Sequence, residues 1–137
     1  MVTLHLYKTQ DGWLTTTPEC SYKAPANAEL MLVSSGGSEA EVQDEIDRFI
    51  GLPPYLEVQR LFKAALDSGL APSEAVKQVE NEVGVVGAVV WPDHFAHVLG
   101  IERREVQPLF VVWWPDSSTS EMSDDEFNTR IGVLKNA

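Results

Sequence analysis

The sequence of 137 residues has one cysteine, no long apolar run and few basic residues. Cys20 has no second cysteine with which to form an internal disulfide, which fits a reducing compartment such as the cytoplasm. The longest apolar stretch, 83–91, is interrupted by Gly84 and Gly87 and falls well short of the roughly 18 residues that a membrane helix needs. The first residues show neither the basic nor the apolar region of a secretory signal. We therefore expect a cytoplasmic protein that does not enter a membrane.

The shortage of basic residues excludes one large class of function. There are 10 Lys and Arg against 21 Asp and Glu, so the formal net charge is −11. Direct nucleic-acid binding draws its affinity from Lys and Arg, which release counterions from phosphates, and the few cations of this chain are too scattered to form a basic stripe. The acidic excess favours a protein partner with a basic surface instead.

The negative charge is concentrated in two segments. Residues 29–51 contain six acids and one base, and residues 116–137 contain five acids and two bases, so together they hold eight of the eleven net charges. We hypothesise that both segments contribute to a partner-binding surface. The candidate residues are Glu39, Glu41, Asp44, Glu45, Asp47, Asp116, Glu121, Asp124, Asp125, Trp113 and Trp114.

The order of the predicted elements indicates an α+β fold. Alternating residues on both sides of Asp11-Gly12 predict an N-terminal hairpin, and β-branched or aromatic runs predict further strands near 29–33, 85–91 and 108–114. We expect one domain, 1–137, in which a mainly antiparallel sheet packs four to five helices on one face, with 116–122 as a short linker to a C-terminal helix.

Two helices have clear sequence signatures. Between Ser38 and Ile50 the apolar residues recur at helical spacing, with Val42, Ile46, Phe49 and Ile50 on one face and acids on the other. Ser38-x-x-Glu41 and Ser123-x-x-Glu126 both match a capping box, in which the serine hydroxyl accepts a backbone N–H of the first turn. Because Ser38 and Glu41 supply this cap, the Gly-rich turn before them is interpreted as a helix start rather than as a phosphate-binding loop.

Residues 94–107 suggest an alternative function as a DNA-binding regulator. Ala96, Gly100 and Val106 have the spacing of a helix-turn-helix, which would place Arg103 and Arg104 near the start of a recognition helix. Pro108 would end that helix early, and the adjacent glutamates neutralise both arginines. The competing interpretation is a helix that ends at Gly100, followed by a turn and a strand.

A second alternative is a small metal-dependent enzyme. Asp93, His94 and His97 lie within one helical turn and could supply metal ligands, although a third histidine could come only from His5. The competing interpretation places both histidines at the surface or in a pocket where they are hydrogen-bonded. No Gly-x-Ser-x-Gly motif is present and Cys20 has no histidine near it in sequence, so we predict neither an enzyme nor a cofactor.

Trp113 and Trp114 precede Pro115 at the end of a predicted strand, where neighbouring side chains point to opposite faces. One of them would then be an exposed binding anchor, or both would pack in the core or under the last helix.

The favoured hypothesis is a small non-enzymatic inhibitor or adaptor that covers a basic, nucleic-acid-binding surface and so acts as a nucleic-acid mimic. In size and charge it resembles small inhibitors carried by phages and mobile elements. A homo-oligomer, formed through an open sheet edge or an exposed tryptophan, stays open.

Overall fold

A computed structural model describes residues 1–19, 26–116 and 119–136 and confirms the α+β class. The described residues form two compact units, Met1–Leu56 and Glu57–Ala137. The prediction of one domain stays a prediction, and Cys20, Pro25 and the Ser117-Ser118 part of the predicted linker lie outside the described residues. The strands are β1 (Val2–Thr9), β2 (Gly12–Thr16) and β3 (Glu29–Gly36), and the helices, more numerous than expected, are α1 (Glu39–Ile50), α2 (Tyr55–Asp67), α3 (Pro72–Val83), α4 (Trp91–Leu99), α5 (Arg103–Val106), α6 (Leu109–Val112) and α7 (Asp124–Lys135).

The first unit contains an antiparallel sheet in the order β2-β1-β3. The predicted hairpin is present, with Gln10 and Asp11 in the turn and Gly12, at a φ of 129°, opening β2. Along β1 every second side chain faces α1, as the period of a strand requires. Leu6 from β1 meets Val42 and Ile46 from α1, and these three side chains form the buried centre of this unit.

Helix α1 begins and ends as its sequence predicts. The Ser38 hydroxyl accepts the N–H of Glu41 at 3.3 Å, and Gly51 takes a left-handed conformation with a φ of 81° after the last turn. Phe49 differs from the prediction, because 47% of its side chain is exposed instead of buried with Val42 and Ile46. The apolar face of α1 is therefore narrower than its hydrophobic periodicity indicates.

In the second unit, α2 from Glu57 onward and α3 to α7 surround an aromatic core. Phe95 contacts Phe62, Phe110 and Phe127, while Trp113 stacks on Phe127 with ring centroids 4.0 Å apart. Aromatic side chains bury large areas, so a few of them can organise a core made of short helices. Among the described residues, no helix is both long and apolar enough to cross a membrane.

The predicted strand at 85–91 is wrong. Residues 84–90 form a loop, and Trp91 begins α4. Gly84 and Gly87 both have a φ of 99°, which a regular strand does not use, and Val85 and Val89 are 76% and 73% exposed. The loop draws its hydrogen bonds from a side chain, since the Glu80 carboxylate accepts the N–H of Val86 at 3.1 Å.

The predicted strand at 108–114 is also wrong. Its centre is the single helical turn α6, and only Trp113, after that turn, is extended. Pro108 has a φ of −61° and no N–H, both of which suit the start of a helix. Leu109, Phe110 and Trp113 are buried at helical spacing. Packing of these three side chains against the aromatic core therefore overrides the strand preference of a Val and Trp run.

Candidate functional site

The candidate acids of α1 divide into exposed and structural groups. Glu39, Glu41 and Glu45 are exposed. Glu41 accepts the N–H of Gly37 at 3.0 Å, so its carboxylate already serves the start of the helix. Within the described part of the chain, neither Glu39 nor Glu45 has a side-chain hydrogen bond or an ion pair. Glu45 is therefore the acid of the helix body whose charge faces solvent without a structural role.

Asp44 and Asp47 accept hydrogen bonds within the first unit. Asp44 accepts the N–H of Leu56, in the first turn of α2, at 2.8 Å and pairs with Arg48 at 2.9 Å. Asp47 is buried and accepts the side-chain amide of Gln43 at 2.9 Å. Burial raises the pKa of Asp47, while the hydrogen bonds from Gln43 and from the Tyr55 backbone oppose this increase. Both carboxylates therefore have structural partners, and their role in partner binding stays a prediction.

An exposed pair of aromatic side chains, Trp13 and Phe49, lies near the exposed acids of α1. Glu41, Glu45 and Phe49 are spaced four residues apart and follow one line along α1. Phe49 contacts Trp13 from β2 edge to face, with ring centroids 6.2 Å apart, and Trp13 is 42% exposed. We call Glu41, Glu45, Phe49 and Trp13 the aromatic–acidic patch. Trp13 and Phe49 are not among the residues that sequence reasoning selected. Phe49 recurs at helical spacing, which predicts a core position, and Trp13 lies in the predicted hairpin.

In the second unit, Trp113 lies in the core and Asp124, which is partly exposed, is hydrogen-bonded to it. Trp113 is fully buried, and its indole N–H donates to Asp124 at 2.9 Å. Lys77 also pairs with Asp124. The hydrogen bond from Lys77 lowers the pKa of Asp124, burial opposes this, and the bond from Trp113 lowers it further. Trp113 is therefore a buried core residue, whereas Asp124 is a partly exposed acid with structural partners, and its role in partner binding stays a prediction.

The remaining candidates of this unit lie at its surface. Asp116, Glu121 and Asp125 are exposed, and Trp114 is half-buried. The N–H groups of Glu121 and Met122 both donate to the carbonyl of Val112, at 2.9 and 3.1 Å, so the chain before α7 folds back on α6. Of the two tryptophans, only Trp114 presents part of its indole to solvent.

The segment 94–107 lacks the recognition helix that DNA binding requires. Gly100 ends α4 with a φ of 70°, and α5 spans only Arg103–Val106, about 6 Å at the rise of an α-helix. Arg103 forms an ion pair with Asp93. A helix of one turn cannot place several side chains along a major groove, so the structure adds no support to the prediction of a DNA-binding regulator.

The histidines of α4 have unlike environments. His94 is fully buried, with its ring 5.7 Å from Trp91, whereas His97 is exposed. Burial lowers the pKa of His94 to about 4, and the charge of His97 adds to this effect. Nowhere in residues 1–19, 26–116 and 119–136 do three or more His, Cys, Asp or Glu side chains form a group that could hold a metal ion.

Comparisons with protein-family models, with curated proteins and with solved structures found no match to this chain.

Proposed function

We propose that this chain is a small acidic binding protein that acts through protein–protein contact and recognises a basic surface of its partner. The observation that carries the proposal is the aromatic–acidic patch of the first unit. Two aromatic side chains there are in contact with each other and yet each is more than 40% exposed. Exposed aromatic residues are enriched at the centres of protein interfaces, where they contribute most of the binding energy.

The acids of α1 define the kind of partner, and Lys8, whose Nζ lies 5.6 Å from the Trp13 ring centroid, marks the part of that ring which already has a cation over it. Glu41 and Glu45 lie four residues apart on the exposed side of α1, an arrangement that slightly destabilises a helix because like charges repel. A partner that places Lys or Arg against these carboxylates relieves the repulsion, and its apolar groups cover Trp13 and Phe49. Complementary charges of this kind act chiefly on the rate of association and on specificity.

The finer form of the proposal is an inhibitor or adaptor that covers a nucleic-acid-binding surface. Its support is the net charge of −11, and in this form the exposed carboxylates would take the place of the nucleic acid's phosphates on the partner. Such a partner cannot hold nucleic acid and this protein at the same time. Competition between the two therefore tests the finer form separately from binding itself.

The test begins with capture of partners on the immobilised full chain from the native host, followed by mass spectrometry and by binding measurements on the purified partner. We expect Phe49→Ala and Glu45→Lys each to weaken binding by about tenfold or more, and the affinity to fall steeply between 50 and 300 mM salt, roughly as expected for charged surfaces. Glu82→Lys is the matched control, because Glu82 is an exposed acid of α3 outside the patch.

Equal weakening by Glu45→Lys and Glu82→Lys would show that only net charge matters and would refute the patch. A captured partner that binds Phe49→Ala as tightly as the wild type would refute it as well. If binding depends on the patch but the partner still holds DNA or RNA in the complex, the nucleic-acid mimic is wrong and the binding function stands.

A further inference from the structure

The second unit carries a separate cleft beside Trp114. It has a volume of about 350 Å³ and is lined by Glu80, Trp114, Pro115, Asp116 and Thr119. A wider depression shares Glu80, Pro115 and Asp116 with it and extends over Lys77, Gln78 and Asn81 of α3, where Lys77 is paired with Asp124. The cleft therefore opens into a groove, and its volume lies at the lower end of the range of small-ligand sites.

One carboxylate at this cleft is held rigidly. Glu80 accepts the indole N–H of Trp91 at 2.8 Å and the backbone N–H groups of Val86 and Gly87 at 3.1 and 3.5 Å. All three donors reach Oε2, and no donor of the described residues is placed on Oε1. The charge of Glu80 is thus fixed in position before any ligand arrives, which reduces the entropic cost of binding.

The backbone of Trp114, which also lines the cleft, is held by two hydrogen bonds. The N–H of Trp114 donates to the Ser120 hydroxyl at 2.7 Å, and that hydroxyl donates to the carbonyl of Trp114 at 2.9 Å. Pro115 follows directly and restricts the chain further. Trp114 is half-buried and lines the cleft, and these hydrogen bonds fix its backbone.

We infer that this cleft binds the guanidinium group of an arginine side chain. An aromatic face attracts a cation, and tryptophan does so most strongly among aromatic residues. Asp116, exposed at the rim, and Glu80 add two carboxylates to the same cleft. A planar guanidinium can stack on the indole while its N–H groups reach a carboxylate, and its apolar stem suits Pro115, whereas the ammonium of lysine cannot stack in this way.

The test is a titration of the full chain that is monitored by NMR. Each of the four tryptophans gives one indole N–H signal. The Trp114 signal is assigned as the one missing in Trp114→Phe. The probe is an arginine with both termini blocked, and its neutral isostere, blocked citrulline, is the control for charge. Free arginine, with its own carboxylate and ammonium, distinguishes a metabolite site from a site for arginine within a polypeptide.

We expect a saturable shift of the Trp114 signal with blocked arginine and none with citrulline. Asp116→Asn should weaken binding by about threefold or more, and Glu82→Gln, which removes one exposed charge of α3, should not change it. Weaker binding of free arginine than of the blocked form assigns the site to a polypeptide ligand, and stronger binding assigns it to the free amino acid.

Three outcomes would overturn the inference: no saturable shift, an equal shift with citrulline, or equal effects of Asp116→Asn and Glu82→Gln. Asp116→Asn replaces an exposed carboxylate by an amide of the same shape, and circular dichroism and thermal unfolding check that the variant is folded before the titration. The experiment uses no residue of the aromatic–acidic patch, so its failure leaves the proposed function of the first unit untouched.

Discussion

The pairing of Trp113 with Asp124 can be tested with a control that the chain itself supplies. Asp124 and Asp125 both lie in the first turn of α7, where an acid stabilises the helix by about 0.3–1 kcal/mol. Asp124 in addition accepts the buried indole N–H of Trp113 and pairs with Lys77, whereas Asp125 is exposed. Alanine at either position removes the same charge from the helix, so the difference between the two variants isolates the tertiary contacts.

The expected difference follows from the contacts that are lost. A buried donor left without its acceptor costs about 1–3 kcal/mol. The ion pair with Lys77 is partly exposed and contributes about 0–1 kcal/mol. With the helix-end contribution included, Asp124→Ala should therefore lower the free energy of unfolding by about 1–5 kcal/mol, and Asp125→Ala by about 1 kcal/mol or less.

Urea denaturation followed by tryptophan fluorescence measures this difference in a Trp13→Phe background. The remaining tryptophans all lie in the second unit, so the signal reports that unit alone. A double-mutant cycle of Asp124→Ala with Trp113→Phe, which keeps the ring on Phe127 but removes its N–H, should give a coupling energy of about 1 kcal/mol or more. Equal destabilisation by the two alanine variants, or a cycle without coupling, would refute the reasoning.

The same comparison has a defined pH dependence. The pKa of Asp124 is lower in the folded chain than its usual 3.8, mainly because of the hydrogen bond from Lys77. An acid of this kind stabilises the fold fully above its unfolded pKa, and the stabilisation is lost as the pH falls through the folded pKa. The difference between wild type and Asp124→Ala should thus be constant above about pH 5 and shrink below pH 4.

Two further predictions concern buried polar side chains of the second unit. Since the pKa of His94 falls to about 4 in the folded state, the unfolded chain binds more protons between pH 6.5 and 4, and stability should decline by up to about 3 kcal/mol across this window as the pH falls. His94→Phe should remove that decline in a urea titration, and an unchanged pH profile would contradict the assignment. Asn128 accepts the N–H of Ser73 and donates to its hydroxyl, both at 2.9 Å, so Asn128→Ala should cost about 1–3 kcal/mol in thermal or urea unfolding, against almost nothing for Gln78→Ala.

The candidate acids illustrate how far a sequence can locate a site. Counting charges identifies the segment around α1 as acidic, and the structure agrees with the count. The count of charges does not distinguish Glu45, whose carboxylate faces solvent, from Asp47, which is buried against Gln43. The hydrogen bond of Asp44 to Leu56 crosses twelve positions in sequence, and no local pattern predicts it.

The predicted strands failed where the local sequence preference and the packing disagreed. Residues 85–91 and 108–114 are rich in Val and Trp, which favour strands in isolation. Glu80, six residues before Val86 in α3, accepts backbone N–H groups of the first segment. Phe110 and Trp113 of the second segment are buried in the aromatic core. Both outcomes depend on partners that meet only after the chain has folded.

By itself the sequence determined the features that depend on neighbours within about one turn or one hairpin. These are the N-terminal hairpin, the serine caps of α1 and α7, the helix end at Gly100 and the acidic balance of the whole chain. Only the tertiary structure decided which carboxylates are structural, which tryptophan is exposed and where Trp13 meets Phe49. The physical reason is that burial and hydrogen-bond partners come from residues far apart in sequence, as Lys77 and Asp124 or Ser73 and Asn128 show.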